Sequence, residues 1–481
     1  MVAMAIADSL GHQFEFIPVQ EKPDPKDFSM PYYTPPSPDH PTGSFRHAQN
    51  SFRLKIGQWT DDTSMGLCMC DSLLSCGGYS AWNVRVWFWN WWNNGVDNAF
   101  RLDHERIESM KAWGGRMSLS VGLGGNIAKS ISEVSQYEER GEERGSEGAG
   151  AGRKRKRPPP HCTLPTQDAG NGSLMRLTPI PIYFHSSLPL ATRYSVDSSF
   201  TTHPGPLAAE ACAFLGYLIA RCIHRMGKEE EYTTAEFLDV VRGEFLGQLN
   251  EEVTSAAHDD VTISAKKAMV RLLRSEEPDE SKERCWNWRH ADLGIWRTLA
   301  NRGKLYNGYP VSPGYFGSFS MDGLAIALHC VYHTDNFAEC ICRVVNMCGD
   351  ADSTGAICGQ IAGAFYSVGD VTPSWRSAVR EWDGGEIELR AVLLYFAGEI
   401  DRLTNPTWPL SDGPIGECES EAIDARGRGG EGKLDERKRV GRVGEEGRGT
   451  EMSSEVPFRR GAWVMLAVLA VALLSWWMGG K

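Results

Sequence analysis

Two short acidic segments, each opening a helix and lying far apart in the chain, constrain its fold more than any other feature. The first is Gly57-Gln58-Trp59-Thr60-Asp61-Asp62-Thr63. Apolar or small residues then recur with helical spacing at Met65, Cys68, Met69 and Leu73 until Gly77-Gly78 ends the pattern. The second is Gly349-Asp350-Ala351-Asp352-Ser353-Thr354-Gly355. It leads into a helix in which Gly355, Gly359 and Gly363 recur every four residues and form a smooth face for close packing. Carboxylates at a helix start serve as caps and dipole partners. That accounts for one acidic residue per helix, and less well for two pairs, each flanked by hydroxyl residues. Hard cations such as Mg²⁺ take oxygen ligands. Four carboxylates with Thr60 and Ser353 offer enough oxygens for two such ions, which would orient substrate oxygens and polarise bound water. Spacing alone leaves a metal site and structural capping equally open.

Around these segments the patterning is helical. Residues 81–92 carry five tryptophans and read as a bulky core helix rather than a ligand-stacking box. Leu207 to Ile223 and Asp322 to Tyr332 also read as helices, separated by proline-rich stretches, with no βαβ rhythm and no internal repeat. An all-α fold is the expectation. Of the 481 residues, 41% are hydrophobic, which is ample for a buried core and excludes a wholly disordered chain. A net charge of −12 argues against a chain that grips nucleic acid over its whole surface, and no specific nucleic acid is expected. The 13 cysteines form no CxxC pair, only Cys68-x-Cys70 and Cys340-x-Cys342, so a zinc ribbon or thioredoxin-like site is not expected. With no N-terminal secretory pattern, they read as reduced thiols facing a cytosolic environment.

Two regions depart in composition. Residues 137–160 run from an acidic stretch through small residues to a basic pentad, Arg153 to Arg157, and three prolines. We read a disordered insertion at about 135–160; the pentad suits a nuclear import signal, an anionic contact or, preferably, a solvated loop. Residues 416–460, dense in Gly, Glu, Arg and Lys, read as a charged linker. It precedes 461–478, which carry no charge and place Trp463, Trp476 and Trp477 near the two ends. As a helix, these residues span roughly 27 Å, enough for a hydrocarbon core. The expected organisation is a domain over 1–415, the linker, and a single transmembrane tail anchor that leaves the domain on the cytosolic side. A buried C-terminal helix, in a cytoplasmic or nuclear protein, is the alternative.

The motifs resemble those of the ADP-ribosylglycohydrolases, dinuclear-magnesium enzymes that remove ADP-ribose from modified side chains. The family's G-D-A-L-G with a following E-F looks like Ala7-Asp8-Ser9-Leu10-Gly11 with Glu15-Phe16; its G-x-W-T-D-D-T is similar to residues 57–63. Its G-N-G-S-x-M-R-x-x-P resembles Gly170 to Pro179, a Thr-His pair follows at Thr202-His203, and G-D-A-D-[TS]-x-G-A resembles 349–356. The resemblance implies an orthogonally packed all-α domain. It implies that Thr60, Asp61, Asp62, Asp350, Asp352 and Ser353 hold two Mg²⁺ ions, with Glu15 as the catalytic carboxylate. It also implies that Gly172, Ser173 and His203 line the ADP-ribose site, and that the loop with Gly122, Gly124 and Gly125 meets the diphosphate, as a Gly-rich turn before a helix suits anions. Tyr315 or Phe316 would stack on the base, with core packing the equal alternative. Asp8 fits either a second layer around the metals or a backbone-bonded carboxylate. Two features depart from the family: members begin a turn or two of helix earlier, and Ala7 stands where a glycine is usual.

What this implies is hydrolysis at the anomeric carbon of an ADP-ribosylated protein or ADP-ribose derivative. Its transition state would have oxocarbenium character, and Glu15 would serve as base or acid. A catalytically weak, membrane-tethered ADP-ribose binder and a metal-dependent phosphoesterase or pyrophosphatase are the competing classes.

Overall fold

The structure is a computed structural model that describes residues 1–19, 33–34, 44–45, 52–112, 120–143, 158–163, 169–225, 232–254, 259–277, 284–302, 305–306, 309–310 and 312–405. The expected linker at 416–460 and apolar tail at 461–478 lie outside the described residues. Contacts divide the chain into Met1–Trp408 and Pro409–Lys481, and the described residues all belong to the first unit.

Among the described residues, sixteen α-helices build that unit. The first five are α1 Val2–Gly11, α2 Asp61–Cys76, α3 Ala81–Asn94, α4 His104–Ala112 and α5 Gly125–Glu143. After a 3-10 turn at Asn171–Ser173 come α6 Pro179–Tyr183, α7 Leu188–Phe200, α8 Pro206–Arg225, α9 Thr234–Thr254 and α10 Asp260–Leu273. The rest are α11 Ile295–Arg302, α12 Ser320–Tyr332, α13 Phe337–Asn346, α14 Ala351–Phe365, α15 Pro373–Asp383 and α16 Glu386–Thr404. Among the described residues the strands form two pairs of two residues each, Tyr33–Thr34 with Ser44–Phe45 and Leu305–Tyr306 with Tyr309–Pro310, besides isolated bridges. The chain is all-α, as its patterning predicts.

Local chemistry explains the boundaries. Gly77 ends α2 in the left-handed region (φ 65°), where glycine carries no Cβ penalty, and returns its N–H to the carbonyl of Leu73. Ser187, Asp259 and Asn336 each accept a backbone N–H at the start of α7, α10 and α13. At α3 the outcome differs from the expected core helix. Val84, Arg85, Phe88 and Trp91 are buried, but the other four tryptophans are only partly so. The helix α5 runs to Glu143, past the point near 135 where the insertion is expected to begin. Its Glu133 is bonded to the buried Arg85 of α3 (2.6 Å). Residues 144–157, including the basic pentad, lie outside the described residues.

The helix α14 occupies the centre, buried from Ala351 through Ala362 and packed against α1, α8, α12 and α13. A helix apolar on every side has no solvent face to offer. Its closest neighbour is α1, which crosses it through small residues. A Cβ on Gly359 would lie 2.5 Å from the carbonyl oxygen of Ala3 and 2.9 Å from Ala7 Cβ, and one on Gly11 would collide with the Ala351 carbonyl. The glycine stripe predicted for close packing is therefore filled by the alanines of α1. The pairing of Gly11 with Ala351 and of Ala3 with Gly359 runs the two helices in opposite directions. The C-terminal end of α1, with Asp8 and the following Glu15, is thus delivered to the acidic start of α14.

Candidate active site

Three stretches of chain are stitched together at that point. Phe16 donates its N–H to the carbonyl of Gly349 and Gly349 donates to Ile17, both at 2.9 Å, while Asp350 donates to Phe316. This short parallel bridge fixes Glu15 beside Gly349. As a result, carboxylate oxygens of Glu15, Asp350 and Asp352 lie within 4.8 Å of one another, close enough to share a cation. The start of α2 enters from the other side and contributes Asp61, which borders the same cleft.

Capping accounts for part of this arrangement: Asp61, Asp62 and Asp352 lie in the first turns of their helices, and Asp352 accepts from the Ser353 N–H (2.9 Å). Neither Thr60 nor Asp350 caps its own helix through its side chain. The start of α2 is instead held by Asp8 of α1, which accepts from the backbone N–H groups of Thr60 (3.0 Å) and Thr63 (3.0 Å) and from both hydroxyls (2.8 and 2.6 Å). Asp8 is thus both a backbone-bonded carboxylate and a support for the acidic motif. Asp350 is oriented from outside as well, accepting from Asn171 Nδ2 (2.7 Å) and from the Tyr315 hydroxyl (2.9 Å).

The cluster carries more negative charge than the protein around it can answer. Burial, then the neighbouring aspartates, push Glu15, Asp61, Asp62 and Asp352 well above the usual carboxylate range. Burial alone lifts Asp8 to about 6 against its four hydrogen bonds, and raises Asp350 against its bonds to Asn171 and Tyr315. Thr60 Oγ1 has one proton but lies 2.8 Å from Asp8 and 2.9 Å from Asp62. Asp62 Oδ1 is buried with no hydrogen-bond partner. Orphaned buried oxygens and crowded carboxylates are what a bound cation would satisfy. With oxygen donors only and no Cys or His among them, the set suits a hard divalent ion.

The cleft above the cluster encloses about 420 Å³. Gly122, Gly124 and Gly125 form one wall, with Gly125 beginning α5. Gly172, His203 and Tyr315 border it too. Ser353 lines it, while Thr60 and Asp62 lie buried beneath. Ser173 does not reach it: its Oγ meets Ser199 and Cys212 behind the wall. Phe316 is core, and Tyr315 stacks against Phe16 at 5.4 Å. Sequence reasoning missed Asn171 and Phe16 as lining residues, while Ser318 falls in the segment Tyr315 to Asp322 that the resemblance offered for contacts to the adenosine side. The signal for Asn171 was present in the Gly170-Asn171-Gly172-Ser173 segment and that for Phe16 in the Glu15-Phe16 pair, although nothing in the sequence placed Phe16 at the mouth, where it sits at φ 68° and 43% exposed.

Fold and cleft together define a helical domain built around a cleft floored by an acidic, oxygen-only cluster. The sequence model of the ADP-ribosylglycohydrolase family matches residues 1–406, and the chain belongs to that family. It is similar to an ADP-ribosylarginine hydrolase of Pseudomonas putida, 23% identical over 84% of this chain and 79% of the relative. It is similar to one of Serratia proteamaculans, 24% identical over 83% and 79%. An ADP-ribosyl-[dinitrogen reductase] glycohydrolase of Rhodospirillum rubrum is 41% identical, over 13% of this chain and 22% of the relative. Among solved structures, an ADP-ribosylglycohydrolase-related protein complex aligns with TM-score 0.49 and 21% identity over 82% of this chain and 95% of its own.

Proposed function

We propose that the chain is a magnesium-dependent hydrolase that releases ADP-ribose from a modified protein side chain, with arginine the favoured linkage. The observation that carries this reading is the meeting of Glu15 with the two distant aspartate motifs in one cleft. The arginine preference rests on the two relatives of bacterial origin, whose names state that linkage. Thr60, Asp61, Asp62, Asp350, Asp352 and Ser353 would hold the ions, with Glu15 at their edge. Bound there, Mg²⁺ neutralises the carboxylates, orients ribose hydroxyls and lowers the pKa of water.

The chain's own groups do the rest. Asn171 and Tyr315 orient Asp350. The wall of Gly122, Gly124 and Gly125 leads into the first turn of α5, and the N-terminal end of a helix favours an anion such as a diphosphate. Gly172 and His203 border the same space. Glu15 is the carboxyl group assigned to proton transfer at the attacking water or the leaving nitrogen. Phe16 and Tyr315, stacked at the mouth, offer a face to the base or to the modified protein.

The decisive assay incubates the full chain with ADP-ribosylated arginine and serine peptides, with Mg²⁺ or with EDTA. Magnesium-dependent release of intact ADP-ribose from the arginine peptide is expected. Release of AMP would replace this reading with a phosphoesterase, and ADP-ribose binding without release would replace it with a binder. For residues 461–478 we propose a tail anchor with the domain in the cytosol, supported by the uncharged stretch and its flanking tryptophans. Leu469→Arg should move the chain from the membrane to the soluble fraction; an unchanged distribution would refute the anchor.

A further inference from the structure

Arg176 is fully buried, and none of its hydrogen-bond partners is a carboxylate. Its guanidinium lies over the Phe88 ring (4.6 Å) and donates to the carbonyls of Gly172 (2.8 Å) and Ser198 (3.4 Å) and to the hydroxyls of Thr201 (3.2 Å) and Thr202 (2.7 Å). A buried charge hydrogen-bonded only to neutral groups, with Asp61 acting on it through space alone, is costly, so its retention calls for a reason beyond packing.

The Thr202 hydroxyl supplies one. A guanidinium can only donate, so Thr202 Oγ1 accepts from Arg176 and keeps its single proton for another partner. That partner is His203 Nδ1, at 2.8 Å. The hydroxyl could accept a second time, but among the described residues Thr202 Oγ1 has no other neighbour to take its proton, so Nδ1 accepts it and in a neutral imidazole the ring proton then sits on Nε2. Burial and the Arg176 charge keep the ring neutral, lowering its pKa to about 3. The Nε2 edge lies between two glycines: a Cβ on Gly170 or on Gly172 would come within 3.4 Å of it. His203 borders the cleft, and no lysine or arginine lines that cleft among the described residues.

We propose that Arg176 is a positioning residue which, through Thr202, holds His203 as the Nε2–H tautomer, a neutral donor to an anionic oxygen of the substrate. The identity of that oxygen, a phosphate oxygen of ADP-ribose, rests on the functional reading above; the tautomer does not. A phosphate at neutral pH only accepts, so the opposite tautomer would set a ring lone pair against its oxygens. Arg176 also supplies a positive charge behind a wall whose visible groups are neutral or acidic.

The test uses the full chain with ¹⁵N-labelled histidine. His203, assigned by its disappearance in His203→Gln, should show a protonated Nε2 and an unprotonated Nδ1. Thr202→Val retains the buried guanidinium but removes the relay. It should mix the tautomers and weaken ADP-ribose binding by about tenfold, the scale of one hydrogen bond to a charged group, while Thr202→Ser restores both. In a His203→Gln background, Thr202→Val should have no further effect on affinity. A protonated Nδ1 in the wild type would overturn the relay, as would a Thr202→Val chain with an unchanged tautomer. An equal loss of affinity in the His203→Gln background would overturn it too, marking Thr202 as merely structural. Failure of the wild type to bind ADP-ribose, with Nε2 protonated, would overturn the functional reading and the phosphate contact while upholding the relay.

Discussion

Asp8 and Gly122 set the geometry of an aspartate motif to which neither belongs. Asp8 ties down Thr60 and Thr63 through four hydrogen bonds, so the position of Asp61 and Asp62 depends on a carboxylate from another helix. In the sequence its two readings stayed open, because choosing between them needs to know what lies across the α1–α2 contact. Gly122 stands against Asp61 from the cleft side. It has φ +87°, and a Cβ there would overlap Asp61 Oδ1. Gly122→Ala should therefore displace Asp61, weakening Mg²⁺-supported turnover by at least about tenfold while leaving the helical circular dichroism unchanged. Turnover at the wild-type level would separate this loop from the ion site.

The crossing of α1 with α14 carries the site at the scale of elements. The repeat of Gly355, Gly359 and Gly363 was legible because a spacing of four residues puts them on one face whatever they meet. That α1 fills the face was not legible, since alanine-rich stretches have no marker for their partner. At Gly359 a Cβ would press on the Ala3 backbone, which has no rotamer through which to yield. Gly359→Ala is expected to cost about 1–3 kcal/mol, read as a lower urea midpoint at constant m-value. Because the same crossing delivers Glu15 to Asp350 and Asp352, activity should fall more steeply than stability. An undiminished urea midpoint would refute the tight crossing. The tryptophan-rich α3 is the opposite case: its composition promised burial all round, and the packing gave it one buried face.

Charge acts at the scale of the whole molecule. Folding raises Asp8, Asp61, Asp62, Asp352 and Glu15 above their unfolded pKa values, so the folded chain holds those protons more tightly than the unfolded chain. The stability this contributes is complete below about pH 4 and is lost as pH rises through the folded values, about 6 for Asp8 and well above the usual carboxylate range for the others. In EDTA the Tm should fall as pH is raised from 5 to 8, and Mg²⁺ should raise it more at pH 8 than at pH 5, because the ion binds the deprotonated cluster. Equal Mg²⁺ stabilisation at both pH values would rule out a site built from these carboxylates. The sequence by itself determined the helical class, the two acidic motifs with the helices they open, and the family, because periodicity, capping and motif spacing are local properties. Only the tertiary structure decided that Asp8 supports the first motif, that Glu15 joins Asp350 and Asp352, that Ser173 turns away from the cleft and that Arg176 reaches His203 through Thr202. Those are contacts between residues apart in the chain, and they exist only once the helices that carry them have packed.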